Sequence, residues 1–213
     1  MTEVNPRELD ALVDKALVRN WLCWGLFWLM LTPSAGAIVS TLFNYPDYLG
    51  DSQYLTFGRL RPIHVNGVVF GAFSTMFIGL CYYIVPRLCG VRVYGERFGH
   101  LLMWVWNLGL IVGFTSLVLG YNQGLEAAEF PFVIDLVIFF VITSLAVQFI
   151  VTVAKRTEPQ LYVSMWYLLG AFIWTVLNLI LGAFILPFSI TGINSAAFHG
   201  LYIHYIVGLW ITP

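Results

Sequence analysis

Five stretches of this 213-residue sequence, 20–46, 62–86, 98–125, 136–154 and 159–213, contain no Asp, Glu, Lys or Arg. A helix needs about 20 apolar residues to cross the hydrocarbon core of a bilayer, and each stretch reaches or exceeds that length. A soluble chain carries about a quarter charged residues; this one is 10% charged and 60% hydrophobic. A water-soluble enzyme and a disulfide scaffold are thereby excluded. A formal net charge of −1 leaves no basic footprint for nucleic acid. Cys23, Cys81 and Cys89 lack metal-type clustering and read as free thiols.

The pattern predicts an all-α polytopic membrane protein with six spans, about 21–43, 63–86, 100–121, 132–154, 162–186 and 196–213. The charge-free tail is too long for one span, and the turn formers of Pro187-Phe-Ser-Ile-Thr-Gly-Ile-Asn194 divide it in two. Residues 1–20 pattern as a short amphipathic segment (Leu9, Leu12, Val13, Ala16, Leu17) rather than a cleavable signal peptide. Residues 21–213 form the helix bundle. Lys and Arg set the orientation, because cytoplasmic loops retain positive charge. Arg7, Lys15, Arg19, Arg87, Arg92, Arg97, Lys155 and Arg156 fall on one side, and only Arg59 and Arg61 on the other. The N-terminus is therefore expected in the cytoplasm. The sixth span ends at Trp210-Ile-Thr-Pro213 without a basic anchor. The chain is accordingly expected to be part of a longer polypeptide, or to be completed by a partner.

Polar groups inside spans are costly and therefore functional candidates. All four histidines lie within or at the edges of spans. His64 opens the second span at its outer mouth, after Arg59-Leu-Arg61-Pro62, with Pro62 in the first helical turn. His204 lies about 12 Å below the outer end of the sixth span, at 1.5 Å per residue. His199 is near that outer end, and His100 opens the third span at the inner surface. Imidazole is a haem-iron and copper ligand, but His100 reads as an interfacial residue and His199 as a packed or solvated one. Hydrogen bonding between helices is the competing reading for His204, and a plain interface residue that for His64. Arg59 and Arg61 run against the positive-inside bias, which points to a local anion; lipid headgroups compete with haem propionates for that role. Glu126, Glu129 and Asp135 form an acidic outer group that could bind a cation, feed protons or simply be solvated. Gly67, Gly71, Gly109 and Gly113 allow close helix approach.

At these residues the sequence resembles a known family. Arg-Leu-Arg-Pro-Ile-His (59–64), followed by Val-Asn, is similar to the second-helix motif of the catalytic subunit of cbb3-type cytochrome c oxidases, the C branch of the haem–copper oxidases. Gly120-Tyr-Asn-Gln-Gly-Leu-Glu-Ala-Ala-Glu129 resembles its outer 3–4 loop, and Pro131 through Asp135 the helix start that follows. Ala154-Lys-Arg-Thr-Glu-Pro159 with Tyr162, Val163 and Trp166 resembles its 4–5 loop and fifth helix. Tyr202-Ile-His-Tyr-Ile-Val-Gly208 resembles its copper-binding sixth helix.

The resemblance implies roles residue by residue. His64 would be one of two axial ligands of a low-spin haem b, and His204 one of three histidine ligands of the active-site copper. Arg61, with Arg59, would hold haem propionates. Glu126 would help bind a calcium that bridges propionates, with Glu129 its acidic neighbour. Asp135 receives no role. The sequence departs from the family at Tyr205, where Asn is usual. The family protein has about twelve helices, so this chain matches its first half. The second low-spin ligand, the high-spin haem ligand and two copper ligands fall outside it.

The implied reaction is reduction of O2 to water with electrons from cytochrome c, coupled to proton translocation in a bacterial inner (cytoplasmic) membrane. Cofactors would be low-spin and high-spin haem b, copper and calcium. Partners would be the rest of subunit I, c-type cytochrome subunits, cytochrome c, O2 and the lipid membrane, with no nucleic acid. The chain alone is expected to be inactive. Three alternatives stand beside this reading. A nitric oxide reductase-like subunit shares the topology, but usually has Glu four residues after the metal-binding histidine, where this chain has Gly208. A six-helix b-type electron carrier would clamp one haem between His64 and His199, and a metal-free scaffold would bind none.

Overall fold

The computed structural model describes residues 6–212. Among the described residues the chain is all-helical. Five helices are long and apolar enough to cross a membrane: Lys15–Asn44, Phe57–Cys89, Glu96–Leu119, Phe132–Ala154 and Val163–Ser189. A sixth helix, Gly192–Tyr205, runs on as a π-helical turn, Ile206–Ile211. Asn194, Ser195, His199 and His204 make it the most polar of the six and keep it out of that apolar set. The chain is a multi-pass membrane protein.

The expected boundaries shift for local reasons. The amphipathic segment is divided, with a short helix Pro6–Asp10 and then a turn. The first span starts early, at Lys15, because the Asp14 carboxylate accepts the Ala16 and Leu17 amides, each at 3.0 Å; this is an N-cap. Residues 1–5 of that segment and Pro213 at the chain end lie outside the described residues.

The second span starts at Phe57, so Pro62 is inside the helix rather than in its first turn. Its missing N–H would have bonded the Gly58 carbonyl, which lies in the exposed opening turn where water can replace it. His64 is consequently about 10 Å into its helix rather than at the mouth. The third span begins at Glu96 and the fifth ends at Ser189, where Pro187 sits at the start of a last short α-helical turn. The predicted 187–194 break narrows to Ile190 and Thr191, and Gly192 at φ +64° starts the sixth helix. The fourth span is Phe132–Ala154.

Small residues bring the first two spans together. A Cβ on Gly71 would sit 3.1 Å from Trp28, one on Gly79 2.9 Å from Trp21, and one on Gly67 would overlap Thr32. Gly109 and Gly113 do the same between the third span and Val137 and Phe130, as expected of small-residue interfaces in membranes. Indole N–H groups then pin the core across helices. Trp28 donates to Asn107 at 2.8 Å, Trp106 to Thr75 at 2.9 Å and Trp210 to Ser74 at 2.7 Å. The Ser74 hydroxyl in turn bonds the Val69 carbonyl inside the π-helical stretch Gly67–Ser74 of the second span. The three cysteines are free thiols.

Candidate functional site

The second span, the 3–4 loop and the sixth helix meet at the Arg61 end of the bundle. Arg59, Arg61, His64 and Asn66 fall within the helix Phe57–Asn66, and each reaches a different neighbour. Arg59 donates to the Val118 carbonyl at the last turn of the third span and lies over the Tyr54 ring at 5.6 Å. A cation suits that position, where orphan carbonyls end a helix. Gly120, at φ +96°, leaves room for it, because a Cβ there would be 2.9 Å from the guanidinium. Arg61 pairs with Glu126 at 2.5 Å, both side chains about two-fifths exposed. So exposed a pair contributes at most about 1 kcal/mol, and most of the guanidinium's five donors remain for a further anion.

The His64 ring is held against one face of the first span, where Thr32 and Gly36 lie one turn apart. Its Nδ1 is 2.9 Å from the Thr32 carbonyl oxygen. A carbonyl only accepts, so Nδ1 carries the proton and Nε2 keeps its lone pair. Metal-ligating histidines are oriented in this way by a second hydrogen bond. Against the ring lies Gly36, where a Cβ would stand 2.5 Å from Cε1 and 2.6 Å from Nδ1.

Behind this surface the acids are buried. Glu129 is 3% exposed and accepts from Asn66 Nδ2 at 2.7 Å. Burial pushes its carboxyl above the ordinary value; the Asn66 hydrogen bond and the Arg61 charge offset part of that rise. Asp135, one turn into the fourth span and buried, accepts from Gln123 Nε2 at 2.7 Å. The three acids therefore do not form one solvated cluster. Glu126 faces Arg61, while Glu129 and Asp135 are each held by an amide side chain.

The sixth helix clamps the 3–4 loop. His199 Nε2 donates to the Glu126 carbonyl at 2.8 Å, and the buried Tyr202 hydroxyl donates to the Ala127 carbonyl at 3.0 Å. Ala127 takes the left-handed φ of +60°, unusual for a residue with a Cβ. His204, one turn beyond His199, is exposed on the bundle's outer face, and its ring makes no hydrogen bond among the described residues. His100 stands at the opposite end, 2.9 Å from Asp14. Among the described residues no three His, Cys, Asp or Glu side chains gather into a metal-binding group. Thr32 and Gly36 lie outside the motifs of the sequence, and Gln123 and Tyr202 lie within them without an assigned role.

Residues 16–213 match the family described as cytochrome c and quinol oxidase polypeptide I. The chain belongs to that family. It is 31% identical over 196 residues to a cytochrome c oxidase subunit 1 homolog of Agrobacterium tumefaciens (strain T37), covering 88% of this chain and 36% of that protein. It is 32% identical over 160 residues to the cbb3-type cytochrome c oxidase subunit CcoN1 of Stutzerimonas stutzeri, covering 75% and 34%. A cytochrome c oxidase subunit 1 homolog of Azorhizobium caulinodans is 30% identical over 222 residues, 99% of this chain and 40% of that protein. The chain spans little more than a third of the length of these relatives, and the motifs that carry the resemblance lie within the matched residues.

Proposed function

We propose that this chain forms part of the catalytic subunit of a cbb3-type terminal oxidase, which reduces O2 to water with electrons from cytochrome c and translocates protons across a bacterial inner membrane. The observation that carries the reading is the His64 ring, protonated at Nδ1 by its bond to Thr32 and left with a free Nε2 in a cradle that only Gly36 permits.

The residues present suit the cofactors the family implies. His64 Nε2 would hold a low-spin haem b iron. His204, unpaired on an outer helix face, would supply one imidazole to copper; exposed to lipid it would be costly, and with copper it gains a partner. Arg61, with donors to spare, would hold propionates, and Glu126 would share its carboxylate between Arg61 and calcium. Arg59, already on the Val118 carbonyl, would act mainly by closing the third span. When bound, the haems pass electrons and, with copper, supply the O2-reducing centre. The chain's own part would be to fix the His64 tautomer and to hold the 3–4 loop through His199 and Tyr202 beside Arg61. The high-spin haem ligand and two copper histidines would come from polypeptide outside these residues, alongside c-type cytochrome subunits. The excess of Lys and Arg at the Lys15 end would place that end in the cytoplasm.

In a b-type carrier ligated by His64 and His199, His199 would have to bind through Nδ1, because its Nε2 donates to the Glu126 carbonyl. Gly208, where a nitric oxide reductase would place Glu, favours oxygen chemistry. Oxygen uptake tests the proposal. The assembled oxidase containing this chain consumes O2 with reduced cytochrome c, and residues 1–213 alone do not. Uptake by 1–213 alone, or none by the assembly, would refute it.

A further inference from the structure

A groove of about 660 Å³ runs along the outer surface of the fourth span, with Tyr94, Gly95 and Phe98 at one end. It starts at Tyr94 and Phe98 near the Lys15 end and follows the fourth span from Gln148 past Val147 and Phe140 to Leu136. Phe98, Phe140 and Val147 are exposed, so the groove opens sideways to the bilayer. From Gln148 to Leu136 it is about 18 Å long at 1.5 Å per residue. One leaflet is about 15 Å, half of the hydrocarbon core. Measured from Lys155, Leu136 is about 28 Å along the fourth span, so the groove runs past the bilayer midplane and an acyl chain of one leaflet fills only its half nearer Lys155.

Its mouth is positive. Lys155 Nζ lies 4.2 Å over the centre of the Tyr94 ring, which lines the groove, and this contact fixes the ammonium at the entrance. Arg97, beside Phe98, is exposed. Neither Lys155 nor Arg97 pairs with a carboxylate among the described residues, whereas the nearby Arg92 is taken by Glu96 at 2.8 Å. The largest polar group in the wall, Gln148, is satisfied within the protein by the Tyr82 hydroxyl and the Gly95 carbonyl.

We propose that this groove is a binding site for one anionic phospholipid, with its phosphate at Lys155 and an acyl chain laid along the fourth span. The site needs only a bilayer and does not depend on the oxidase reading. A cation outside the hydrocarbon, a stacked tyrosine under it and an apolar trough running inward from both match the parts of a phospholipid in order. Membrane-facing surface alone would lack the fixed charge at the entrance.

The test uses the full chain in its assembled complex, placed in nanodiscs of phosphatidylcholine with a minority of phosphatidylglycerol, then released and read by native mass spectrometry. The wild type retains one phosphatidylglycerol in preference to phosphatidylcholine. Lys155→Gln lowers that preference about fivefold, the effect of one basic residue near an anionic surface, and Lys155→Glu lowers it further. Val147→Trp, which fills the trough on its lipid-exposed side, lowers retention of both lipids. Thr143→Val, which removes a wall hydroxyl, leaves retention unchanged. Equal preference in wild type and Lys155→Glu would overturn the proposal, as would an isoprenoid quinone retained and lost with Thr143→Val, or a partner's helix found lying in the groove.

Discussion

At Gly36 one hydrogen atom decides where an imidazole can stand. Adding a methyl group there puts carbon 2.5 Å from His64 Cε1, so the ring must leave the Thr32 carbonyl or the first two spans must part. Gly36→Ala in the assembled oxidase is expected to weaken or shift the low-spin haem absorbance while the complex still assembles. Gly58→Ala, which meets nothing within 4 Å, is the control and should leave the spectrum alone. Glu129 gives a pH signature. Its carboxyl titrates above the ordinary 4.5 because burial disfavours the charged form. The stability linked to its neutral form is complete below 4.5 and is lost as pH rises through the raised value. A protonated-carboxyl infrared band should therefore persist above pH 4.5 and disappear in Glu129→Gln; a band that titrates with ordinary glutamates would contradict this. His64 and His204 stood out in the sequence because an ionisable group in a charge-free stretch is conspicuous. Thr32 and Gly36 did not, since their contribution is a backbone carbonyl and a missing side chain, which only the packing of the first two spans reveals.

The helices themselves were legible for a related reason. A bilayer demands length and apolarity from each span, and both are written locally. Their ends were less so. Asp14 starts the first span six residues early, and a proline tolerated in an exposed turn lets the second begin at Phe57. Both depend on capping and solvation rather than on hydropathy. Cross-helix bonds were not legible at all. The Trp28 indole, 2% exposed, has Asn107 as its partner across the interface. Polar pairs between membrane helices average about 0.6 kcal/mol, but orphaning a buried donor costs about 1–3 kcal/mol. Asn107→Leu strands the Trp28 N–H, so the larger figure applies. Thermal unfolding in detergent should show a loss in that range, and an unchanged midpoint would remove Asn107 from the core's support.

Taken whole, the bundle holds its two metal-ligand candidates differently. His64 is packed, hydrogen-bonded and cradled between the first two spans, and His204 faces outward with its ring unpaired. The sequence carried the family and both imidazoles, but not this contrast, because burial is a property of the assembled helices. If each ring serves a separate centre, removing one should spare the other. Metal analysis of the assembled oxidase, with copper counted by mass spectrometry and low-spin haem by optical spectrum, tests this most directly. His204→Ala should lose copper and keep low-spin haem, while His64→Ala should lose low-spin haem and keep copper. Full retention of both in either variant, or loss of the same centre in both, would contradict the account.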